Sequence, residues 1–457
     1  MASVMTERNT RRGLVLAVMC VGMFLVQLDV TVVNVALPHI GAELGTGVAG
    51  LQWVVTGYAV VLAALLLTGG VLGDRRGHRR VVATGLVVFG AASLACAVAP
   101  GIGTLVGARV VQGAGAALLL PGTLAIVTRI FPGPAERAKA LGIWTGTAAL
   151  ALPSGPLLGG LLIAGLGWRA VFAVNVPIVA AALAAALRWC PADRPAGDAR
   201  RVDAPGAATA AIALGALVYA VISAGSGAGP GTYAAAGIAL LGLVAFVGVE
   251  RRAPDPMLPL RLLRSRAFTG ANTVAGAMNF VGLGMNFVLG LYLQEVLHLD
   301  PVRTGLGLIP YFAPLALLAP VTGRITARLG PRPPMIAGLL VGVAGLAALP
   351  FMPDGYAGLV PPMLGIGVGM GLLTAAVVTA AMSAVPPDRS GLASGVNNTA
   401  RQAAGAIGVA VFGAVAGSPA DARAYTGGLH AIAVAAAVLW LAAAALTAWS
   451  IPAKPNG

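Results

Sequence analysis

The run GLVLAVMCVGMFLVQLDVTVVNVALP, from Gly13 to Pro38, holds a single charged residue, Asp29. A helix that crosses a bilayer needs about 20 mostly apolar residues, and this run exceeds that length. A signal-peptide core is shorter and is followed by a cleavage site, so the segment reads as a retained first span. The rest of the chain has the same character: 58% of its 457 residues are apolar, 10% are charged, and the mean hydropathy is +0.89. A soluble domain carries about 25% charged residues. So few charges cannot make a water-soluble surface, and most of this surface is expected to face lipid.

Working outward from span one, apolar runs between charged or Pro/Gly-rich breaks give fourteen spans. They cover 14–37, 52–72, 81–99, 104–128, 138–162, 168–187, 206–224, 233–249, 267–291, 304–323, 334–352, 357–382, 398–417 and 428–450. Basic residues set the orientation, because cytoplasmic loops carry the excess of Lys and Arg. With the N-terminus inside, Arg169, Arg303 and Arg423 fall outside and Arg109 falls within a span. Every other Arg or Lys falls on the inner side, from Arg8, Arg11 and Arg12 through Arg75, Arg76, Arg79 and Arg80 to Arg194, Arg200, Arg389, Arg401 and Lys454. A wrong span count would scramble that alternation. It predicts an even number of spans with both termini cytoplasmic. The net charge of +14 then reflects topology and attraction to anionic lipid, and no nucleic-acid partner is expected.

Other classes are excluded by what the chain lacks. A P-loop requires Lys after Gly, and the only lysines, Lys139 and Lys454, both follow Ala, so an ATP-driven pump in this chain is ruled out. No catalytic constellation is visible, and neither a disulfide framework nor metal-ligand spacing is present. No enzyme activity, metal or cofactor is expected.

An internal repeat organises the spans. Gly70-Val-Leu-Gly-Asp74-Arg75-Arg-Gly77 lies between spans two and three, and Gly323-Arg-Ile-Thr-Ala327-Arg-Leu-Gly330 lies between spans ten and eleven, about eight spans later. Two six-helix halves would place the copies six spans apart, so two helices, spans seven and eight, are inserted between the halves. Parallel halves of this kind are a transporter architecture. The expected fold is an all-α membrane protein of two pseudo-symmetric six-helix bundles, 1–190 and 266–457, joined by two linker helices in 191–265.

With these residues in view, the chain resembles the major facilitator superfamily, in its fourteen-helix drug:proton antiporter branch. Four blocks carry the likeness: Leu28-Asp29 to Pro38, the Gly70–Arg80 loop, Arg109-Val-Val-Gln112-Gly113 in span four, and Gly155-Pro156-Leu-Leu-Gly159-Gly160 in span five, followed by Trp168-Arg169. The resemblance implies a monomeric carrier in the bacterial inner membrane that exports hydrophobic or amphipathic small molecules in exchange for protons. It also implies that Asp74, Arg75 and Gly77 act as a latch for the outward-facing state. The chain departs from the family pattern at Ala151, His78 and Pro153. Ala327 stands where the second copy of the loop would have an acid. An importer or exporter of a native metabolite on the same fold stays open; substrate accumulation in a knockout would mark an exporter.

The residues assign roles on their own account. An ionised carboxylate near the bilayer centre costs roughly 2.5–3.5 kcal/mol, and such residues default to function. Asp29 lies about 12 Å from the outer end of span one and Arg109 about 7.5 Å from that of span four, at 1.5 Å per residue. The two are therefore expected to communicate, with Arg109 tuning the proton affinity of Asp29 and Gln112 on the same helix face as a partner. Gln27, Thr31 and Asn34 share a face of helix one roughly opposite Asp29, and only one of these faces can line a narrow substrate path. Pro153 and Pro156 should bend span five, while Gly142/Gly146 and Gly155/Gly159 let helices approach, making a hinge. In span nine, Asn272, Asn279 and Asn286 recur every seven residues. With Tyr311 in span ten, they are candidates for the substrate cavity.

Overall fold

The computed structural model describes residues 2–191, 201–353, 355–386 and 389–453; side chains at 2–11, 134, 135 and 138 are not described. The whole of Arg194, Arg200 and Lys454, the side chains of Arg8 and Arg11, and positions 192–200 of the linker lie outside the described residues.

Among the described residues the chain is all helix and connecting turn. Thirteen helices are long and apolar enough to cross a membrane, and a bent pair makes a fourteenth. They are α1 Ala2–Leu44, α2 Val48–Arg76, α3 His78–Ala97, α4 Ile102–Ile130, α5 Pro134–Leu166, α6 Ala170–Trp189, α7 Ala204–Gly225, α8 Pro230–Arg252, α9 Arg266–Val296, α10 Pro301–Gly307 with Ile309–Leu329, α11 Arg332–Phe351, α12 Tyr356–Ser383, α13 Ser390–Ala416 and α14 Ala422–Ser450. The face that carries the start of α1 and the end of α14 is called here the terminal face, and its opposite the far face.

Three boundaries differ from the hydropathy reading, each for a physical reason. The two parts of α10 meet at 43°. Pro310 follows the break and has no N–H with which to continue the ladder; the Tyr311 and Phe312 amides both donate to the Leu308 carbonyl. The end of α9 widens into a π turn, Tyr292–Val296, where the Leu297 amide reaches the Tyr292 carbonyl. Finally, α13 starts at Ser390, well before the apolar run at 398. Its first turns, Ser390-Gly-Leu-Ala-Ser-Gly-Val-Asn-Asn, are too polar for a hydropathy window yet helical once packed. Arg401, which the span at 398–417 put in its first turn and the charge count on the inner side, consequently lies about three turns inside a helix.

The repeated loops fold alike. Gly77 ends α2 with φ 91° and Gly330 ends α10 with φ 81°. Each amide caps its helix, on Gly73 and Thr326 respectively. The left-handed conformation is nearly free only for glycine, which explains why both copies keep it although their acids differ.

The inserted hairpin is unlike the rest. Helix α7 lies over α2 and α13, with Val218 and Ile222 packed among Ala59, Val60, Ala406 and Ala410, and Trp53 against Tyr219 at 6.2 Å. Helix α8 packs on α7 and leaves Leu240, Leu241 and Val244 exposed, as a lipid-facing helix does.

Candidate functional site

Asp29, Arg109, Gln112 and Ser93 are all essentially inaccessible, at 0–1% exposure. Arg109 Nη1 donates to Asp29 Oδ2 and, at 2.6 Å, to Gln112 Oε1. Gln112 Nε2 donates to Asp29 Oδ1 and to Ser93 Oγ, both at 2.9 Å. Arg109 Nε donates to the Val54 carbonyl at 2.9 Å. The guanidinium lies 4.4 Å from the Tyr58 ring centre and 5.8 Å from that of Phe172, positions that favour a cation over a ring face. The network thus joins α1, α2, α3, α4 and α6. Gly113 brings α4 against the Tyr58 backbone; a methyl there would lie 3.2 Å from the Tyr58 Cα. Both carboxylate oxygens are occupied and the charge is paired, which is what a buried acid requires. Sequence reasoning did not single out Ser93, Tyr58 or Phe172. Their only signal was a polar or aromatic residue at a compatible depth on a neighbouring span.

The other face of α1 serves the seam between the first and last six helices. Thr31 is fully buried and lies against Gly155; a methyl on Gly155 would lie 2.8 Å from Thr31 Cβ, and one on Gly159 would lie 3.1 Å from the Val32 carbonyl. Asn34 donates to the Val30 carbonyl at 3.0 Å, and its Oδ1 has no partner. Asn34 lines a crevice with Tyr58, Arg109, Leu283, Gln402 and Val409 of about 10 Å³, room for roughly one water. A drug-sized ligand needs about 300 Å³ or more, so the halves must part here to admit one. Gln27 is half-buried.

Helix α5 divides the seam along its length. Toward the far face, Gly160 meets Val302 (Cα 2.9 Å from a methyl at Gly160) and Gly305 meets Pro156 and Leu157. Toward the terminal face, a methyl on Gly142 or Gly146 would meet nothing within 4 Å. Pro153 and Pro156 both lie inside the continuous helix. Two further contacts hold the far side. Gln294 Nε2 donates to the Val35 carbonyl at 3.1 Å, and Gln52 Nε2 donates to the carbonyls of Val409 and Ala410 at 3.0 and 2.7 Å. The loop candidates are on the terminal face: Asp74 and Arg75 are exposed, and Asp74 pairs with His78 at 3.2 Å.

In the last six helices the asparagine stripe splits. Asn272 Oδ1 accepts from Asn397 at 3.2 Å, and Asn279 Oδ1 accepts from Arg401 Nε at 3.2 Å. Asn286, 1% exposed, has neither amide atom partnered. Tyr311 is fully buried and donates to the Gly282 carbonyl at 2.7 Å, so it packs α10 onto α9.

Among the described residues, thirteen helices and one bent pair long and apolar enough to cross a membrane, with a buried ion pair beside a narrow crevice, define a multi-pass membrane protein. The sequence pattern of the Major Facilitator Superfamily matches residues 19–409, and the chain belongs to that family. It is 38% identical over 416 residues to the multidrug resistance protein Stp of Mycobacterium tuberculosis, covering 89% of this chain and 76% of that one. It is 38% identical to the puromycin resistance protein pur8 of Streptomyces alboniger, covering 96% and 91%, and 37% identical to the cephamycin export protein CmcT of Amycolatopsis lactamdurans, covering 97% and 93%. The fold is shared with a bacterial homolog of the human lysosomal transporter Spinster in an inward-facing, unoccupied conformation (TM-score 0.67, 18% identity, covering 96% of this chain and 97% of that one). It is also shared with a peptide transporter POT bound to sulfate (TM-score 0.69, 20% identity, 96% and 95%). The chain is a multi-pass transporter of the bacterial inner membrane.

Proposed function

We propose that this chain exports drug-like or antibiotic small molecules from the cytoplasm in exchange for protons, by alternating access. The names of its relatives, which concern drug resistance and export, support the cargo and the direction. The observation that carries the coupling is the burial of Asp29 between Arg109 and Gln112. Protonation of Asp29 removes the negative member of that pair. Arg109 then keeps the Gln112 and Val54 carbonyl acceptors and the Tyr58 and Phe172 rings, and α1 loses its ionic tie to α4. The opposite face of α1 carries Thr31 against α5 and the Val35 carbonyl under Gln294 of α9, so a shift of α1 reaches the seam directly.

In this reading the terminal face is cytoplasmic, as the arginines direct, and the far face is closed in the state described. The units that rock are 1–190 and 266–457, with 191–265 as the inserted linker. Pro153, Gly155, Pro156 and Gly159 form the pivot. Asp74, Arg75 and Gly77 latch the terminal face when it closes. Gln27, Asn34, Asn279 and Asn286 face the cargo, Thr31 supports the pivot, and Gln112 belongs to the proton site. The carrier works as a monomer in lipid. The test is a resistance screen against a compound panel in a host stripped of its own efflux pumps. The chain should protect against some members, and Asp29→Asn, expressed to the same level, should not. Protection by the variant equal to that of the wild type would overturn the coupling.

A further inference from the structure

Asp29 and Arg109 are buried among the helices that flank the seam, and a third charged side chain, the partly exposed Arg401, lies about three turns inside α13. The first two neutralise each other. Arg401 has no carboxylate partner among the described residues. Its side-chain bond is from Nε to Asn279 Oδ1 at 3.2 Å. The guanidinium's five donors form a fixed fork suited to a carboxylate, and here one of them is engaged. An ionisable side chain well inside a membrane-spanning helix marks a functional position by default, and one without a carboxylate partner in its own chain is free to take one from a ligand.

The surroundings say what that partner must be. Arg401 stands at the edge of the seam crevice: Gln402 is the next residue, Gly405 and Ala406 follow one turn on, and all three line the crevice opposite Asn34, Tyr58 and Arg109. Two more buried groups await a ligand. Asn286, on the α9 face that carries Asn279, has both amide atoms unpartnered at 1% exposure, and Asn34 Oδ1 is unpartnered at 2%. The remaining walls are apolar, among them Val30, Val33, Val55, Leu283 and Val409. The seam therefore carries one excess positive charge, idle amides and an apolar lining.

We propose that Arg401 is the anion-recognising group of the transport site, and that the chain's cargoes carry one carboxylate or similar oxyanion on an apolar body. This rests on the efflux reading above and narrows it. The acid of the first half is already paired, so it offers a cationic cargo no free partner. An anion completes the charge balance of the seam, and its uncharged remainder fits the valine-rich walls.

The test uses the full chain in phosphatidylcholine nanodiscs, where no anionic lipid competes. Three probes share one ring system: 1-naphthylacetate, its methyl ester, and 1-naphthylethylammonium. Binding is measured by titration calorimetry and by ligand-induced shift of the melting temperature. The wild type should bind the carboxylate on the order of 10- to 100-fold more tightly than the ester, the range of a charge-assisted hydrogen bond, and the ammonium most weakly. Arg401→Gln should lose that preference, and Arg401→Lys should keep part of it. Should Arg401→Gln fail to fold, Asn279→Ala reads the same preference, reduced because the guanidinium loses its positioning acceptor. A wild type that prefers the ester or the ammonium, or binds none of the three, overturns the proposal; so does an Arg401→Gln protein with the preference intact. Binding at equilibrium needs no pH gradient, so failure of proton coupling or of export would leave this preference readable.

Discussion

The first and last six helices of this carrier treat charge in opposite ways. In the first, Asp29 and Arg109 form a closed network in which Gln112 and Ser93 complete the hydrogen bonding. In the second, Arg401 leans on a neutral amide, and Asn286 on the same face as that amide has no partner at all. Even the repeated loops follow this division, with Asp74 in the first and Ala327 in the second. The halves share a backbone plan, down to the left-handed glycines at 77 and 330, but among the described residues only the first holds a buried carboxylate. The difference teaches that pseudo-symmetry here belongs to the backbone, while charge is arranged differently: a closed ion pair among the first six helices and an arginine on a neutral amide among the last six.

That contrast can be broken most forcefully at the ion pair. Asp29→Ala leaves Arg109 buried without its counter-charge, and breaking a buried pair typically costs about 3–5 kcal/mol. Thermal unfolding in nanodiscs should show that loss. Arg401→Gln should cost far less or even stabilise, because no carboxylate is orphaned by it. Equal losses in the two halves would erase the distinction. The double variant Asp29→Asn/Arg109→Gln should recover part of the single-variant loss, since neutralising both partners avoids the uncompensated charge.

The next effect concerns the two ends of α5. Gly160→Val overpacks the contact with Val302 and should cost roughly 1–3 kcal/mol of the far-face-closed state. Gly146→Val enters open space and should leave stability within about 0.5 kcal/mol. Labelling of single cysteines placed on the far face would rise in the first variant and stay unchanged in the second. Equal labelling would mean that the far-face contact does not hold the seam.

A smaller effect is expected at Gln52, whose two bonds to α13 are worth about 0.6 kcal/mol each on average inside a membrane. Gln52→Ala should speed amide exchange at the far-face end of α13 without changing which compounds are exported. The smallest thermodynamic effect is expected at Asp74, where an exposed pair with His78 contributes about 0–1 kcal/mol. Asp74→Asn should barely move the melting temperature and should act, through the latch, on transport rate.

The ion pair was legible in the sequence because depth can be counted: two lone charges on antiparallel spans, at similar depths from one face, were expected to communicate. The repeat and the basic loops likewise gave the plan of fourteen spans. The depth of Arg401 was not legible: a span starting at 398 put it in the first turn, because the Gly/Ser/Asn-rich stretch before it resembles a loop to any hydropathy window and only packing against α9 and α2 makes that stretch helix. Ser93, Tyr58 and Phe172 were hidden for another reason, since which neighbour faces a buried arginine depends on helix rotation. The break in α10 could have been found from Pro310. Its counterpart, the uninterrupted course of α5 through Pro153 and Pro156, shows that proline alone does not predict where a packed membrane helix breaks.

The claim on which the rest depends is that Asp29 carries the coupled proton. Its most direct test is accumulation of a compound found in the resistance screen by proteoliposomes under an imposed pH gradient. The wild type should concentrate it against its gradient, whereas Asp29→Asn should exchange it without concentrating it. Accumulation by Asp29→Asn equal to that of the wild type would contradict the account.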